Sequence, residues 1–269
     1  MNTNNLKKIV LPAIVFFIIV AIWSTIAQNV HNFPTPTDTF VHAFGGTDSN
    51  GDEVIGVLSD PFYITNQDDK GIFWQVMNSL ERVFSGFILA IIVGVPVGLA
   101  IGMSKNFQIA FEPFIQIFKP VSPLAWLPLL LFVFQDINAT AISTIFVTSI
   151  WPIIINTSLG VKSVSEDYMN VAKVLQFTPL EKIRKIILPV AVPYIFTGMR
   201  LSLGIAWLVI VAAEMLTGGI GIGFWIWDEY NNLNYFNIII GIIIVGLVGF
   251  MLDVIMGKIA DFFDYRKRV

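Results

Sequence analysis

The sequence predicts an all-α, polytopic membrane protein with six transmembrane helices in a single domain, residues 1–269, and a polar helix-turn-helix between the fourth and fifth spans. Composition is the first reason. Hydrophobic residues make up 55% of the chain and charged residues 13%, with a mean hydropathy of +0.76, whereas soluble domains carry about 25% charged residues. Length is the second reason, because the apolar runs are long enough to cross a bilayer as helices. These runs lie near residues 9–30, 74–103, 112–134, 139–160, 189–213 and 236–257.

The first apolar run begins after Lys7 and Lys8, as the core of a secretory signal peptide would. It continues from Ile9 to Ile26, which exceeds the roughly 7–15 residues of such a core and approaches the length of a membrane span. We therefore interpret it as a retained first transmembrane helix.

The basic residues predict how the spans are oriented. With the spans placed as above, every lysine and arginine except Lys70, Arg82 and Arg200 falls on one face. Cytoplasmic loops carry the excess of Lys and Arg, so both termini and residues 165–189 are predicted to be cytoplasmic. Residues 31–73 then form a solvated periplasmic loop, whose two histidines, His31 and His42, are expected to be exposed rather than to bind a metal.

The second span carries small residues at every fourth position: Gly86, Ala90, Gly94, Gly98 and Gly102. Residues four apart share one face of a helix, so this face has no bulk and allows a neighbouring helix to approach closely. We expect it to pack against another helix or a second copy of the chain.

The third span contains four prolines: Pro113, Pro120, Pro123 and Pro128. Each proline removes a backbone donor that lipid cannot replace, so we expect this span to be broken. Broken backbone is tolerated where it lines a cavity or is buried in protein. A pathway lining, with Ser122 and Trp126 as cavity residues, is the favoured interpretation; a kinked scaffold helix is the alternative.

The fifth span holds Arg200 near the middle of the membrane, since it lies about 11 residues beyond Pro189 at a rise of about 1.5 Å per residue. A charge at that depth usually faces protein or water. Arg200 therefore either lines an anion pathway together with Thr197 and Ser202, or pairs with a carboxylate in the scaffold. Glu214 is expected to be a structural partner or part of a gate.

Residues 217–223 form a glycine-rich run, followed by Trp225 and Trp227. No Lys-Ser/Thr pair follows the glycines, as a nucleotide-binding loop requires. We expect a re-entrant or interfacial gate loop with the tryptophans at the headgroup level. Asp253, in the last span, is expected near the cytoplasmic end without a special role.

Residues 165–189 predict two short amphipathic helices joined by a turn. Ser165 can cap the first helix. Thr178, with Pro179 and Glu181 after it, predicts a second start with a capping box. Pro189 is expected to limit the second helix.

The spacing within this segment resembles the EAA-type coupling loop of ABC-importer permeases: Glu-Ala-Ala, three residues, Gly, nine residues, then Ile-x-Leu-Pro. The corresponding positions are Asn170, Val171, Ala172, Gln176, Ile186, Leu188 and Pro189. Gln176 stands where the family has Gly. Residues 118–131 and 194–234 resemble the nitrate, cyanate and bicarbonate branch of that family, and the resemblance extends from about Gly71 onward.

The resemblance implies a type I permease fold and the transmembrane subunit of an ATP-driven importer in the bacterial inner membrane, working by alternating access. It implies three partners: ABC ATPase subunits that bind ATP and Mg²⁺ and receive the 165–189 loop, a periplasmic substrate-binding protein or domain, and a second permease copy in a homodimer. The implied substrate is a small anion, nitrate first (with nitrite and cyanate in the same group), then bicarbonate, with sulfonate or taurine as further alternatives. No nucleic acid partner is expected.

Other function classes are disfavoured by what the sequence lacks. It has no cysteine, which excludes thiolate metal sites and a cysteine nucleophile. It has no HExxH, GxSxG or Walker A motif, so we expect no catalytic residue, metal or cofactor in this chain. A stand-alone secondary transporter would show inverted repeats or an intramembrane acidic relay, and neither is evident.

Overall fold

The computed structural model describes residues 3–30, 33–49, 51–66 and 69–263. His31 and the terminal basic residues Arg266, Lys267 and Arg268 lie outside these ranges. The described residues are mostly helical, which confirms the all-α prediction. The helices, one π-helical turn and one hairpin are α1 (Thr3–Asn29), α2 (Pro36–Phe44), β1 (Gly46–Thr47), β2 (Glu53–Val54), α3 (Ile72–Met103), α4 (Lys105–Phe118), α5 (Pro123–Phe134), α6 (Ile137–Lys162), α7 (Glu166–Val174), α8 (Pro179–Lys182), the π-helical turn (Ile183–Ile187), α9 (Leu188–Thr217), α10 (Ile222–Asn231) and α11 (Tyr235–Phe263).

Five helices of the described chain are long and apolar enough to cross a membrane: Val10–Asn29 within α1, α3, α6, the continuous helix Pro179–Thr217, and α11. Helices α4 and α5 meet the same test only as a pair, and they bend by 97° across residues 119–122. The predicted break in the third span is therefore confirmed. The described residues thus hold six candidate spans if this bent pair is counted as one.

The chain divides into two compact units, one of Met1–Gln75 with Trp225–Ile244 and one of Val76–Phe224 with Val245–Val269. That residues 1–269 form one domain stays a prediction.

In the first unit, α2 is fixed at its start by a network around Asp38. Thr35 caps the helix, because its Oγ1 accepts from the Asp38 N–H at 3.1 Å. The Asp38 carboxylate accepts from the hydroxyls of Thr35 and Ser49 at 2.8 and 2.9 Å. Burial raises the pKa of the Asp38 carboxyl, but these hydrogen bonds outweigh burial and hold the pKa below its usual value. His42 is not freely exposed as expected, since its ring stacks on Phe236 at 4.0 Å between centroids.

In the second unit, the small-residue face of α3 packs directly on α6. A Cβ added at Gly86 would lie 2.7 Å from Ile145 Cβ, and one added at Gly98 would lie 2.6 Å from Thr157 Cβ. The prediction of close packing against another helix is confirmed.

Helix α6 is also in close contact with α9. A Cβ at Gly198 of α9 would lie 2.9 Å from Asn156 Cβ, and one at Gly160 of α6 would lie 2.8 Å from Tyr194 Cβ. Two of the threonines buried along α6 satisfy their hydroxyls within the helix: Thr144 donates to the Thr140 carbonyl at 2.8 Å and Thr148 donates to the Thr144 carbonyl at 3.0 Å. Helix α6 is therefore the central helix of this unit, with α3 and α9 against it.

Candidate functional site

The polar segment at residues 165–189 begins as the sequence predicts. The Ser165 hydroxyl caps α7 by accepting from the Asp167 N–H at 3.2 Å. The capping box at α8 is complete, since the Thr178 hydroxyl accepts from the Glu181 N–H and the Glu181 carboxylate accepts from the Thr178 N–H, at 3.3 and 3.0 Å. Lys185 pairs with the same carboxylate at 3.0 Å and lies over the Phe177 ring. Both helix starts are thus fixed by local polar contacts.

The turn between α7 and α8 depends on Gln176, whose φ is +52°. The Phe177 N–H donates to the Ala172 carbonyl at 2.9 Å and the Gln176 N–H donates to the Lys173 carbonyl at 3.1 Å, which is the hydrogen-bond pattern of a Schellman ending. Left-handed backbone favours glycine. The positive φ at this position therefore explains why the coupling-loop pattern has a glycine there. In this chain Gln176 adopts the same left-handed conformation.

Pro189 does not limit the second helix, contrary to the prediction. Helix α8 continues through the π-helical turn Ile183–Ile187 into α9, as one helix over Pro179–Thr217. The Leu188 N–H donates to the Ile183 carbonyl, five residues back. The extra residue widens the turn immediately before Pro189, where an α-helix would place the proline ring against a carbonyl and lack a donor.

This segment exposes several apolar side chains among its many charged residues. Its exposed apolar side chains are Tyr168, Val171, Val174, Leu175 and Leu180, with exposed fractions from 53% to 81%. Ala172 is fully buried, while Asn170, Gln176 and Pro189 are exposed and Ile186 and Leu188 are half-buried. The structure therefore leaves an apolar surface on a short, well-capped segment. That these residues couple to an ATPase stays a prediction.

The break between α4 and α5 opens a cavity of about 440 Å³. Ser122 and Trp126 both line it, as predicted, with Lys119 at the break and Thr148 and Asn156 on α6. The Phe118 ring stacks on Trp151, with centroids 6.2 Å apart, and lies tilted beside Trp126, with centroids 5.7 Å apart. The bent pair thus frames a largely apolar cavity whose lining includes Trp126 and Trp151.

Thr197 and Arg200 line a second, more open groove of about 730 Å³ between α9 and α11. Ser202 does not join them. It is fully buried, and its hydroxyl donates to the Ser149 carbonyl of α6 at 2.6 Å. Ser202 lies on the side of α9 opposite Arg200, so it belongs to the contact between α9 and α6.

Arg200 is paired with Asp253, so the expectation that Asp253 has no special role is wrong. Arg200 Nε donates to Asp253 Oδ1 at 2.6 Å and Nη2 donates to Oδ2 at 2.5 Å. The two side chains are 47% and 50% exposed. This is the carboxylate partner that the second interpretation of Arg200 required, in a position open to the groove.

A second arginine–carboxylate pair, Arg82 with Glu214, is enclosed. Arg82 Nη1 donates to Glu214 Oε1 at 2.8 Å, and the side chains are 8% and 0% exposed. The Ser79 hydroxyl and the Gly223 N–H also donate to the carboxylate, and Arg82 Nε donates to Asn138 at 2.8 Å. Glu214 is therefore a structural partner, one of the two roles expected for it.

The glycine run is shorter as a loop than expected, because α10 begins at Ile222 and carries both Trp225 and Trp227. Gly218 and Gly219 have positive φ. A Cβ at Gly221 would collide with the Glu214 carboxylate. Gly221 therefore leaves room for the buried carboxylate, whereas Gly218 and Gly219 allow the backbone its positive φ.

The sequence analysis predicted neither the pairing of Arg82 with Glu214 nor that of Arg200 with Asp253. Their signal was present, since Arg82, Arg200 and Asp253 each lie in an apolar run and Glu214 directly follows the run that holds Arg200. Opposite charges within spans usually pair with one another. The sequence does not show which acid each arginine meets.

Residues 75–269 match the family described as "Binding-protein-dependent transport system inner membrane component". The chain is 42% identical over 258 residues to a nitrate import permease protein, NrtB, of Leptolyngbya laminosa, covering 96% of this chain and 88% of that protein. It is 46% identical over 198 residues to a bicarbonate transport system permease protein, CmpB, of Synechocystis sp., covering 73% and 71%. A solved chain of the MetNI methionine ABC transporter superposes with a TM-score of 0.62 at 15% identity, covering 71% of this chain and 95% of that chain, which is a likeness of fold.

Proposed function

Since the chain belongs to the binding-protein-dependent transport system inner membrane component family, as a multi-pass ABC-importer permease rather than an enzyme, we propose that it imports nitrate. The observation that carries this proposal is the similarity to a nitrate permease over nearly the whole of both chains. Bicarbonate is the second candidate, because the similarity to a bicarbonate permease is also close. Arg200, on an open groove among apolar helices, supports a small anion of either kind.

We propose that residues 165–189 dock into partner ATPase subunits. Permeases of this family work with an ATPase and a substrate-binding protein, and the apolar surface of Tyr168, Val171, Val174 and Leu180 needs a covering partner. ATP and Mg²⁺ are then bound by the ATPases, and this chain holds no cofactor. ATP-driven closure of two ATPases moves two such segments and alternates the access of the pathway between the two sides.

The permease is proposed to act as a homodimer in the bacterial inner membrane, with both termini cytoplasmic and no nucleic acid partner. The half-exposed pair of Arg200 and Asp253 supports the dimer. Charges of this kind are costly against lipid and face protein or a water-filled cavity. A second copy related by a twofold axis places this face of α9 and α11 toward a shared pathway.

The test uses the permease purified with its ATPases and substrate-binding protein and reconstituted in liposomes. We expect ATP hydrolysis and uptake of labelled nitrate to rise together, and taurine or cyanate to give less than a tenth of that uptake. An ATPase variant that cannot hydrolyse ATP is the control and should abolish uptake. Equal or greater uptake of bicarbonate would replace nitrate as the substrate. Uptake without ATP would refute the importer mechanism.

A further inference from the structure

The two arginine–carboxylate pairs of the second unit differ in how they are enclosed. Glu214 is fully buried and accepts hydrogen bonds from Ser79, Arg82 and Gly223. Among the residues that the structure describes, Asp253 accepts hydrogen bonds from Arg200 alone, and both side chains are about half exposed to the groove. The first pair has the surroundings of a permanent structural contact. In the second pair the carboxylate has one partner and the groove is open to it, so another anion could replace the carboxylate on Arg200.

The contact between Arg200 and Asp253 has the geometry that a trigonal planar anion would use. Two parallel N–H groups of the guanidinium, Nε and Nη2, each meet one oxygen of the carboxylate at 2.6 and 2.5 Å. Nitrate and bicarbonate also present two oxygens on one planar centre, and the guanidinium fork matches such a pair of oxygens in a bidentate way. A carboxylate and the proposed substrate are therefore alternative ligands for the same two donors.

The groove leaves room for such a ligand beside the guanidinium. Gly257 lies beside Arg200 on the Asp253 helix, and a Cβ there would be 3.5 Å from Arg200 Nη1. Gly204, one turn along α9, has no atom within 4 Å of an added Cβ. Thr197 lines the same groove, and its hydroxyl donates to the Pro193 carbonyl at 2.9 Å. Small residues therefore keep the arginine accessible from the side on which the groove opens.

We propose that Asp253 is an internal competitor of the transported anion: it occupies Arg200 when the pathway is empty and is displaced when the anion binds there. This inference rests on the proposed import of a small anion. In the empty state the two charges neutralise each other among apolar helices. In the loaded state the released carboxylate lies close to the bound anion, so that its repulsion weakens binding and favours onward release.

The experiment measures anion binding apart from transport. The thermal unfolding midpoint of the purified permease–ATPase complex is followed in increasing sodium nitrate, against equal sodium chloride. Asp253→Asn removes the competing charge and keeps the shape, so we expect half-maximal stabilisation at about a tenfold lower nitrate concentration than in the wild type. Asp261→Asn is the matched control, because it removes a charge from the same groove, and it should change that concentration less than threefold. Arg200→Lys, which cannot bind in a bidentate way, should abolish the nitrate effect.

If Asp253→Asn folds, either of two results overturns the proposal: an unchanged nitrate dependence in Asp253→Asn, or an equal gain in Asp253→Asn and Asp261→Asn, which would indicate simple charge attraction. If Asp253→Asn does not fold in chloride, recovery of the folded complex by nitrate supports exchange, and no recovery contradicts it. Asp253→Glu, which keeps the charge but displaces the carboxylate, should show a smaller gain in the same direction. If Asp253→Asn is stabilised at a lower nitrate concentration but the wild type does not take up nitrate, the exchange of Asp253 for an anion is supported and nitrate is refuted as the substrate. Nitrate uptake by the wild type without that gain refutes exchange alone.

Discussion

Replacing Glu214 with glutamine measures how strongly the enclosed ion pair holds the start of α10 against α3. Glutamine has nearly the same shape but no charge, and it turns one acceptor oxygen into an NH₂ donor. The groups that face this position are all donors: the Ser79 hydroxyl, Arg82 Nη1 and the Gly223 N–H. The variant therefore leaves a buried arginine unpaired and sets one donor against another.

The expected loss is about 3–5 kcal/mol in the free energy of unfolding, the usual cost of removing one partner from a buried ion pair. Unfolding of the purified protein by SDS in mixed micelles, followed by tryptophan fluorescence, measures it. Glu112→Gln is the matched control. Glu112 is exposed on α4 and accepts only long hydrogen bonds, at 3.4 and 3.5 Å, so its replacement should change the free energy by less than about 0.5 kcal/mol.

A second variant separates charge from packing. Combining Glu214→Gln with Arg82→Met removes both charges, so it should recover part of the loss, because no buried charge is then left without a partner. If Glu214→Gln alone costs less than about 1 kcal/mol, or no more than Glu112→Gln, the pair is not the enclosed structural contact described above and the reasoning fails.

Three further predictions concern backbone and packing. Gln176→Gly should stabilise the turn after α7 by about 0.5–1 kcal/mol, because φ is positive there, and slower amide exchange at the turn measures this; faster exchange would contradict it. Gly98→Ala should cost about 1–3 kcal/mol in SDS unfolding, since its Cβ would meet Thr157, whereas Gly204→Ala, in open space, should be nearly neutral; equal losses would refute the packing argument. Ala172→Arg should insert normally but lose ATP-driven uptake by at least tenfold, because it forces bulk into a fully buried position; normal uptake by reconstituted liposomes would exclude a coupling role for this residue.

What the sequence predicted well depended on local signals. The caps at Ser165 and Thr178 follow from residues within one turn of each helix start. The face of α3 that includes Gly98 follows from the helical period alone. The broken third span follows from the chemistry of proline. In each case the residue that carries the signal and the structure it produces lie within a few positions of one another.

What the sequence did not show depends on which helices become neighbours. Arg82 meets Glu214 from 132 positions away, and Arg200 meets Asp253 from 53 positions away. The apolar residues around each charged residue indicate its depth in the membrane, but they do not indicate which helix lies beside it. The continuation past Pro189 was missed for a different reason: the rule that proline ends a helix assumes α geometry, and here a π-helical turn intervenes.

The π-helical turn has a mechanical consequence. The helix Pro179–Thr217 has 39 residues and is about 58 Å long at about 1.5 Å per residue, so one continuous helix joins the polar segment at residues 165–189 to the span that carries Arg200. A π turn holds one residue more than an α turn, and one residue corresponds to a rotation of about 100° around the helix axis. Tightening this turn to α geometry would rotate α9 relative to residues 165–182 and would turn Arg200 toward a different neighbour. Rotation about the axis of this one helix would thus link its two ends.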